Sequence, residues 1–132
     1  MSTFLLEIVT PERKVFAEEA NMIIVKGVAG ELGILPNHIP LVTPLKVAPV
    51  TVKQNGKQLY IAVNGGFMEV RKDKVVILAE SAELPEQIDL ERAQAAKERA
   101  EKRLASKDNY DFKRAEAALQ KALNRIEVYG RK

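Results

Sequence analysis

Ile88-Asp89-Leu90-Glu91-Arg92-Ala93 divides this sequence into two kinds of chain. Before it, short runs of β-branched and aromatic residues alternate with turn residues. After it, Ala, Glu, Lys, Arg and Leu dominate, all strong helix formers. Pro85 marks the switch, Asp89 suits an N-cap or first-turn acid, and Arg92 begins the helix proper. The division predicts an α+β protein. An N-terminal antiparallel β-sandwich fills residues 1–85, and a C-terminal two-helix antiparallel hairpin fills 86–132.

Working back from the switch, residues 1–84 hold about eight to ten short strand candidates. Thr3 to Val9 is the first, ended by Pro11 with a turn at Glu12-Arg13. Lys14 to Ala20 and Met22 to Val25 follow, and Gly27 and Gly30 bracket the next turn. Pro36, Pro40 and Pro44 then fall within nine residues. Proline has no N–H to donate, so this segment is expected to be a kinked edge or loop and not a central strand. Val47 resumes strand character. Asn55-Gly56, between Val50-Thr51-Val52 and Leu59 to Val63, predicts a tight hairpin whose turn residues take positive φ. Gly65-Gly66 predicts another turn, and Phe67 to Val70 pairs with Lys74 to Leu78 across Arg71-Lys72-Asp73.

Working forward, Leu90, Ala93, Ala100 and Leu104 form one helical stripe. Phe112, Ala115, Leu119, Ala122 and Ile126 form a second, after a turn at 106–109. Both stripes follow a heptad-like seam. Alanine fills about half of it, so at about 25 cal/mol per Å² the helix–helix contact contributes only a few kcal/mol. Such a seam lets the hairpin open without melting either helix.

Composition bounds the chemistry. With 46% hydrophobic and 30% charged residues, the chain reads as soluble and globular. It has no Cys and one His, which excludes disulfides, thiolate zinc sites, cysteine nucleophiles and histidine-rich metal sites. No apolar run nears the roughly 20 residues that span a bilayer. The N-terminus, with an early Glu7 and no basic leader, does not read as a signal peptide, so the chain is expected in the cytoplasm. The net charge of +3 lies in the second part. Residues 1–85 carry nine basic and nine acidic side chains, whereas 86–132 carry twelve and nine. A basic second helix suits an anionic partner: an acidic protein surface, a nucleotide or a nucleic acid.

No catalytic constellation is visible, and no metal site. His38 lacks a Ser or acid partner at a recognisable spacing and reads as a loop or interface histidine. Neither GxGxxG nor a Walker A lysine motif occurs among the glycines. Nucleic-acid binding fits poorly, because the β-region is neutral, aromatics are few and acids interleave the first helix.

Gly30-Glu31-Leu32-Gly33-Ile34-Leu35-Pro36-Asn37-His38-Ile39-Pro40-Leu41 resembles the signature of the epsilon subunit of bacterial F-type ATP synthases. Gly65 to Val70 and Asp89 to Ala93 resemble two further family segments, in order and at the family length. The likeness is to the thermophilic Bacillus type. It implies the same sandwich and hairpin, and a non-catalytic rotor-stalk role in a proton-translocating complex. The sandwich would bind the gamma subunit and sit on the ring of c subunits, with Glu31 and His38 near the c-ring loops. That position is peripheral, on the cytoplasmic side of the cell membrane. Extended along gamma, the hairpin would inhibit ATP hydrolysis by bringing Lys113, Arg114, Lys121 and Arg125 to the catalytic beta and alpha subunits.

The resemblance further implies that the folded hairpin binds one ATP, with or without magnesium. The matching positions are Ile88, Asp89, Arg92 and Ala93 at the helix start, Glu83 before it, and Arg99 and Arg125 as phosphate partners. Ala93 leaves room for a flat base, Asp89 and Glu83 can accept from an amino group, and arginine forks suit phosphate oxygens. Lys121 stands where nucleotide-binding relatives tend to carry an arginine. It keeps the charge without the fork. The rival reading, from another class, is a free-standing nucleotide-sensing module that joins no larger complex.

Overall fold

The computed structural model describes residues 2–106 and 111–131. Eight strands come first: β1 Phe4–Val9, β2 Lys14–Ala20, β3 Met22–Gly27, β4 Gly30–Ile34, β5 Leu41–Gln54, β6 Lys57–Val70, β7 Lys74–Ala79 and β8 Ala82–Glu83. A 3-10 turn, Pro85–Gln87, leads to helix α1, Leu90–Ala105, and helix α2, Phe112–Gly130. The strands order as β2-β1-β7-β6-β5-β3-β4, with β8 against β6. All pairs are antiparallel except β1 with β7, which run parallel.

The long β5 and β6 carry both layers of the sandwich. Alternate side chains point inward, so Val50 and Val52 from β5 meet Ile61, Val63, Met68 and Val70 from β6 in one core. Leu6 and Ile8 of β1 and Val75 and Ile77 of β7 complete it. The far end of β5 is tied to β2, where Gln54 Nε2 donates to Glu19 O at 2.9 Å and Glu18 Oε1 at 3.1 Å. The Asn55-Gly56 turn has the expected form, with φ of 45° and 83°, and Asn21 Oδ1 accepts from the Asn55 N–H at 2.6 Å.

Two proline and glycine expectations need correction. The kinked edge does occur over Gly30–Ile34, since β4 ends the strand order, and over the loop at 35–40. Pro44, however, lies inside β5, between β6 and β3. It sits one residue past the last β3 pair, Gly27 with Leu45, and its carbonyl accepts from Val28 N at 3.3 Å. An N–H at Pro44 would face the region beyond the end of β3, so none is missed. Pro49 is accommodated likewise. Between the pairs Ile24–Thr51 and Gly27–Leu45 the register slips, and Pro49 falls in that bulge.

Gly65-Gly66 is no turn: both residues lie within β6. Their φ angles of 83° and 134° kink the strand where its neighbour changes from β7 to β8. A Cβ on Gly66 would lie 2.1 Å from the Leu78 carbonyl oxygen, so only glycine permits this approach.

The helices form the expected antiparallel hairpin. Asp89 caps α1, its Oδ1 accepting from Arg92 N at 3.1 Å. The seam is carried by Ala93 and Ala100 from α1 and Ala115 and Ala122 from α2, all buried. Leu90, Leu104, Leu119 and Ile126 are half-buried. Phe112, expected in the seam, is 54% exposed, so the contact at the α2 start is thinner than its spacing suggests. The turn expected at 106–109 lies, after Ser106, outside the described residues.

Candidate functional site

Three groups attach the hairpin to the sandwich. Apolar Ile88 and Val128 bury against Ala62 of β6, flanked by Tyr60 and Tyr129. A polar link lies beside them: the buried Asn124 of α2 donates from Nδ2 to Val63 O and to Asn64 Oδ1, both at 3.1 Å. Asn64 in turn donates to Ser81 Oγ at 2.9 Å. The third group is ionic. Arg125 bonds Glu83, with both side chains mostly buried, and Lys121 lies 3.8 Å from Glu80. At the end of α2 the Arg131 guanidinium stands 5.0 Å over the Tyr60 ring.

Between these anchors and α1 the chain leaves a cleft of about 520 Å³. Glu83, Asp89, Arg92, Ala93, Arg99 and Arg125 all line it. Residues up to 42 positions apart in sequence thus meet around one cavity, because β8, the 3-10 turn, α1 and α2 converge there. Arg92 and Arg99 stand two helical turns apart on α1, roughly 10 Å of rise. Neither makes an ion pair among the described residues. Ala93 and Ala96 give the α1 wall a low relief between them.

Ile88 is not on the cleft wall. It is 6% exposed and belongs to the apolar patch with Ala62 and Val128. Lys121 is also off the wall, held toward Glu80 at the rim. Lys113 and Arg114 lie in the first turn of α2, exposed, with Arg114 3.9 Å from Asp111.

Glu31 and His38 occupy different elements. Glu31 sits exposed on β4, opposite Lys26 of β3, and lines a small recess with Tyr60, Glu127 and Arg131 at the end of α2. His38 lies half-buried in the loop between β4 and β5, its Nδ1 2.7 Å from the Ile39 carbonyl oxygen. No hydrogen bond or ion pair joins Glu31 to His38 among the described residues.

The sequence reading missed the sandwich wall of the cleft. Thr10, Glu12 and Arg13 of the β1–β2 turn line it, as do Glu80 and Gln87. Nothing local in Thr10-Pro11-Glu12-Arg13 signals a site, since its partners on α1 lie some eighty residues on. It also missed Asn124. The only available signal was a polar residue four before the apolar Val128, on one helical face.

Glu7, buried on β1, is bridged by Lys14 of β2 and Lys74 of β7, each at 2.5 Å. Hydrogen bonds from Lys14 first, then Lys74, lower its pKa to about 2.

Comparison with known proteins accounts for both halves of the chain. Residues 3–85 match the family described as ATP synthase, Delta/Epsilon chain, beta-sandwich domain. Residues 86–130 match ATP synthase, Delta/Epsilon chain, long alpha-helix domain. An ATP synthase epsilon chain of Halalkalibacterium halodurans is 56% identical, over 99% of this chain and 100% of the relative. One of Brevibacillus brevis is 63% identical over 81% of this chain and 82% of its own. A chain of the Euglena gracilis mitochondrial ATP synthase, solved with OSCP, F1 and the c-ring, superposes with a TM-score of 0.81 at 25% identity. It covers 96% of this chain and 81% of that one. A chain from the central stalk and c-ring of the Tetrahymena thermophila enzyme shares the fold, with a TM-score of 0.56 at 13% identity, over 97% and 94% of the two chains. With the sandwich, the hairpin and full-length relatives in agreement, the chain belongs to the epsilon-chain family of F-type ATP synthases.

Proposed function

We propose that the chain is a non-catalytic central-stalk subunit whose hairpin, residues 86–132, is a nucleotide-sensing brake on ATP hydrolysis. Residues 1–85 form the rotor-binding domain, joining gamma to the c-ring of a proton-translocating complex with Glu31 and His38 on the c-ring side. The subunit is peripheral, on the cytoplasmic face of the cell membrane. No helix among the described residues is long and apolar enough to cross a membrane, and the solved relative from Euglena belongs to an assembly with F1 and the c-ring.

The observation that carries this reading is the cleft between hairpin and sandwich. Its volume of about 520 Å³ falls within the roughly 300–1,000 Å³ usual for small-molecule sites. Its residues fit ATP. Arg92, Arg99 and Arg125 supply fork-shaped donors for phosphate oxygens, and Glu83 and Asp89 supply acceptors for an amino group. Ala93 and Ala96 leave a flat wall for a base. Because both hairpin and sandwich contribute, a ligand bound here stabilises only the folded arrangement. At ten times its dissociation constant the gain is about 1.4 kcal/mol, and at a hundred times about 2.7 kcal/mol. Those values rival the few kcal/mol of the alanine seam.

The brake follows from the ion pairs. Arg125 and Lys121 are held by Glu83 and Glu80 while the hairpin is folded. Unfolded from the sandwich, they join Lys113 and Arg114 as one basic face, ready for acidic segments of the catalytic beta and alpha subunits. Exposed pairs are worth only about 0–1 kcal/mol each, so several must act together.

The test is calorimetric titration of the isolated protein with ATP, with and without magnesium. Binding is expected for the wild type and lost in the Asp89→Ala, Arg92→Ala double variant. No heat at millimolar ATP, or an unchanged isotherm in the variant, removes the site. Truncation after Glu86 is expected to raise ATP hydrolysis by the assembled enzyme; an unaltered rate removes the brake.

A further inference from the structure

We infer that Arg13, in the turn between β1 and β2, is a further anion-binding residue of this cleft, through which the sandwich itself grips the phosphate end of the ligand. The inference rests on the reading of the cleft as a nucleotide site.

Three observations carry it. The first is position: Arg13 lines the cavity from the sandwich side, while Arg92 and Arg99 line it from α1. A ligand touching all three spans the boundary that must open when the hairpin leaves.

The second is rigidity. Thr10 Oγ1 accepts from the backbone N–H groups of Glu12 and Arg13, each at 3.3 Å, and lies 3.2 Å from Arg13 O. Thr10 N donates to Arg13 O at 2.9 Å. The backbone that bears Arg13 is therefore fixed by its own turn, and ordering it on binding costs little. Its side chain stays exposed and makes no ion pair among the described residues.

The third is charge. Four arginines (Arg13, Arg92, Arg99, Arg125) and four carboxylates (Glu12, Glu80, Glu83, Asp89) surround the cavity. Two of the carboxylates are paired with cations, Glu83 with Arg125 and Glu80 beside Lys121, while Asp89 caps α1 and keeps its charge. Arg13, Arg92 and Arg99 then face Glu12 and Asp89, which leaves one positive charge in excess. The excess is small but cationic, and it is carried by three guanidinium forks without ion-pair partners among the described residues, which match phosphate oxygens two at a time. A polyphosphate is the ligand class that this surplus fits.

The consequence is mechanical. With Arg13 engaged, the phosphates act as a strap between the β1–β2 turn and α1. The ligand then resists hairpin opening more than contacts within the hairpin alone would allow.

The experiment uses the full chain. ATP affinity is measured by calorimetry at two salt concentrations for the wild type, Arg13→Ala and Arg13→Lys. Amide hydrogen exchange is followed over residues 10–13 with and without ATP. Arg13→Ala is expected to weaken ATP binding about tenfold, the loss of one charge-assisted contact, and to flatten the salt dependence. Arg13→Lys, which keeps the charge and loses the fork, is expected to lose less affinity and keep the salt dependence. ATP is expected to slow exchange in the turn of the wild type. If the wild type binds ATP but Arg13→Ala matches it at both salts, Arg13 is an ordinary exposed turn residue and this inference is overturned while the site stands. If the wild type binds no ATP, both fall. A variant that binds weakly with an unchanged salt slope points to altered folding, and that also overturns the role assigned to the charge.

Discussion

Inside the sandwich, twenty buried side chains between Phe4 and Ala82 interlock from every strand. Under α2, the buried apolar patch among the described residues is Ala62, Ile88 and Val128. The hairpin otherwise relies on ion pairs at Glu83 and Glu80, on the Asn124 link and on Arg131 over the Tyr60 ring. These differ in kind as well as size. Burial of Val or Ile contributes about 1.5–3 kcal/mol each, so the patch supplies a few kcal/mol, whereas the sandwich core supplies many times that. The Asn124 link fixes where the helix sits more than how tightly it holds. Its Oδ1 is buried without a partner among the described residues, a cost of about 1–3 kcal/mol that offsets the bonds made by Nδ2. One part of the molecule is thus held by a large apolar core and the other by a small patch and polar links, a difference that the proposed movable hairpin would need.

The sharpest way to break the comparison is to cut each core by one side chain. Ile61→Ala removes a fully buried residue of β6. It is expected to destabilise the whole molecule by about 2–5 kcal/mol. Urea unfolding would reveal this as a lower midpoint, and hydrogen exchange as faster opening in strands and helices together. If only the helices responded, the sandwich would not be the foundation on which they rest.

Val128→Ala is the matched cut in the hairpin. Val128 is fully buried against Ile88 and Ala62. The expected cost is about 1–2 kcal/mol, which speeds exchange in α2 by a factor of roughly 5–30. Exchange in β6 and β7 should stay as it was. Parallel acceleration in those strands would mean that the hairpin and sandwich open as one unit, and the proposed brake would lose its physical basis.

These two regions were also unequally legible in the sequence. The sandwich was readable because its signals are local. Asn55-Gly56 calls for positive φ at both positions, and short β-branched runs between turn residues mark the strands. The failures there, Pro44 and Gly65-Gly66, come from features that depend on a neighbouring strand. Pro44 is tolerated only because β3 ends beside it, and Gly66 is required because Leu78 comes within reach. The hairpin was readable as two helices, but periodicity could not say which residues face the partner helix and which the sandwich. Spacing therefore puts Phe112 in the seam, where it is exposed, and does not mark Asn124 and Val128, which are buried. In the cleft, the residues on α1 followed from the family likeness. Arg13 did not, because only the fold brings a turn at residue 13 beside a helix that begins at residue 90.

The smallest expected effect tests whether acid acts on the sandwich through one group. Lys14 and Lys74 hold the Glu7 pKa at about 2, below the ordinary value of 4.5. The unfolded chain therefore binds a proton at Glu7 more readily than the folded one. The stability that Glu7 contributes is fully present above about pH 4.5, declines below it, and is lost as pH falls through about 2. Glu7→Gln removes the charge at every pH. Both lysines are partly exposed, with 54% and 34% of their side-chain surface accessible, so each can turn to water once the carboxylate is gone. The loss should accordingly be modest. The difference in unfolding free energy between wild type and variant should be constant from pH 7 to about pH 5 and should shrink toward zero near pH 2. A difference that persists at pH 2 would mean that Glu7 stabilises the strands through packing. In that case the three-strand bridge would join the core that holds the sandwich, and the contrast with the ion-paired hairpin would be sharper still.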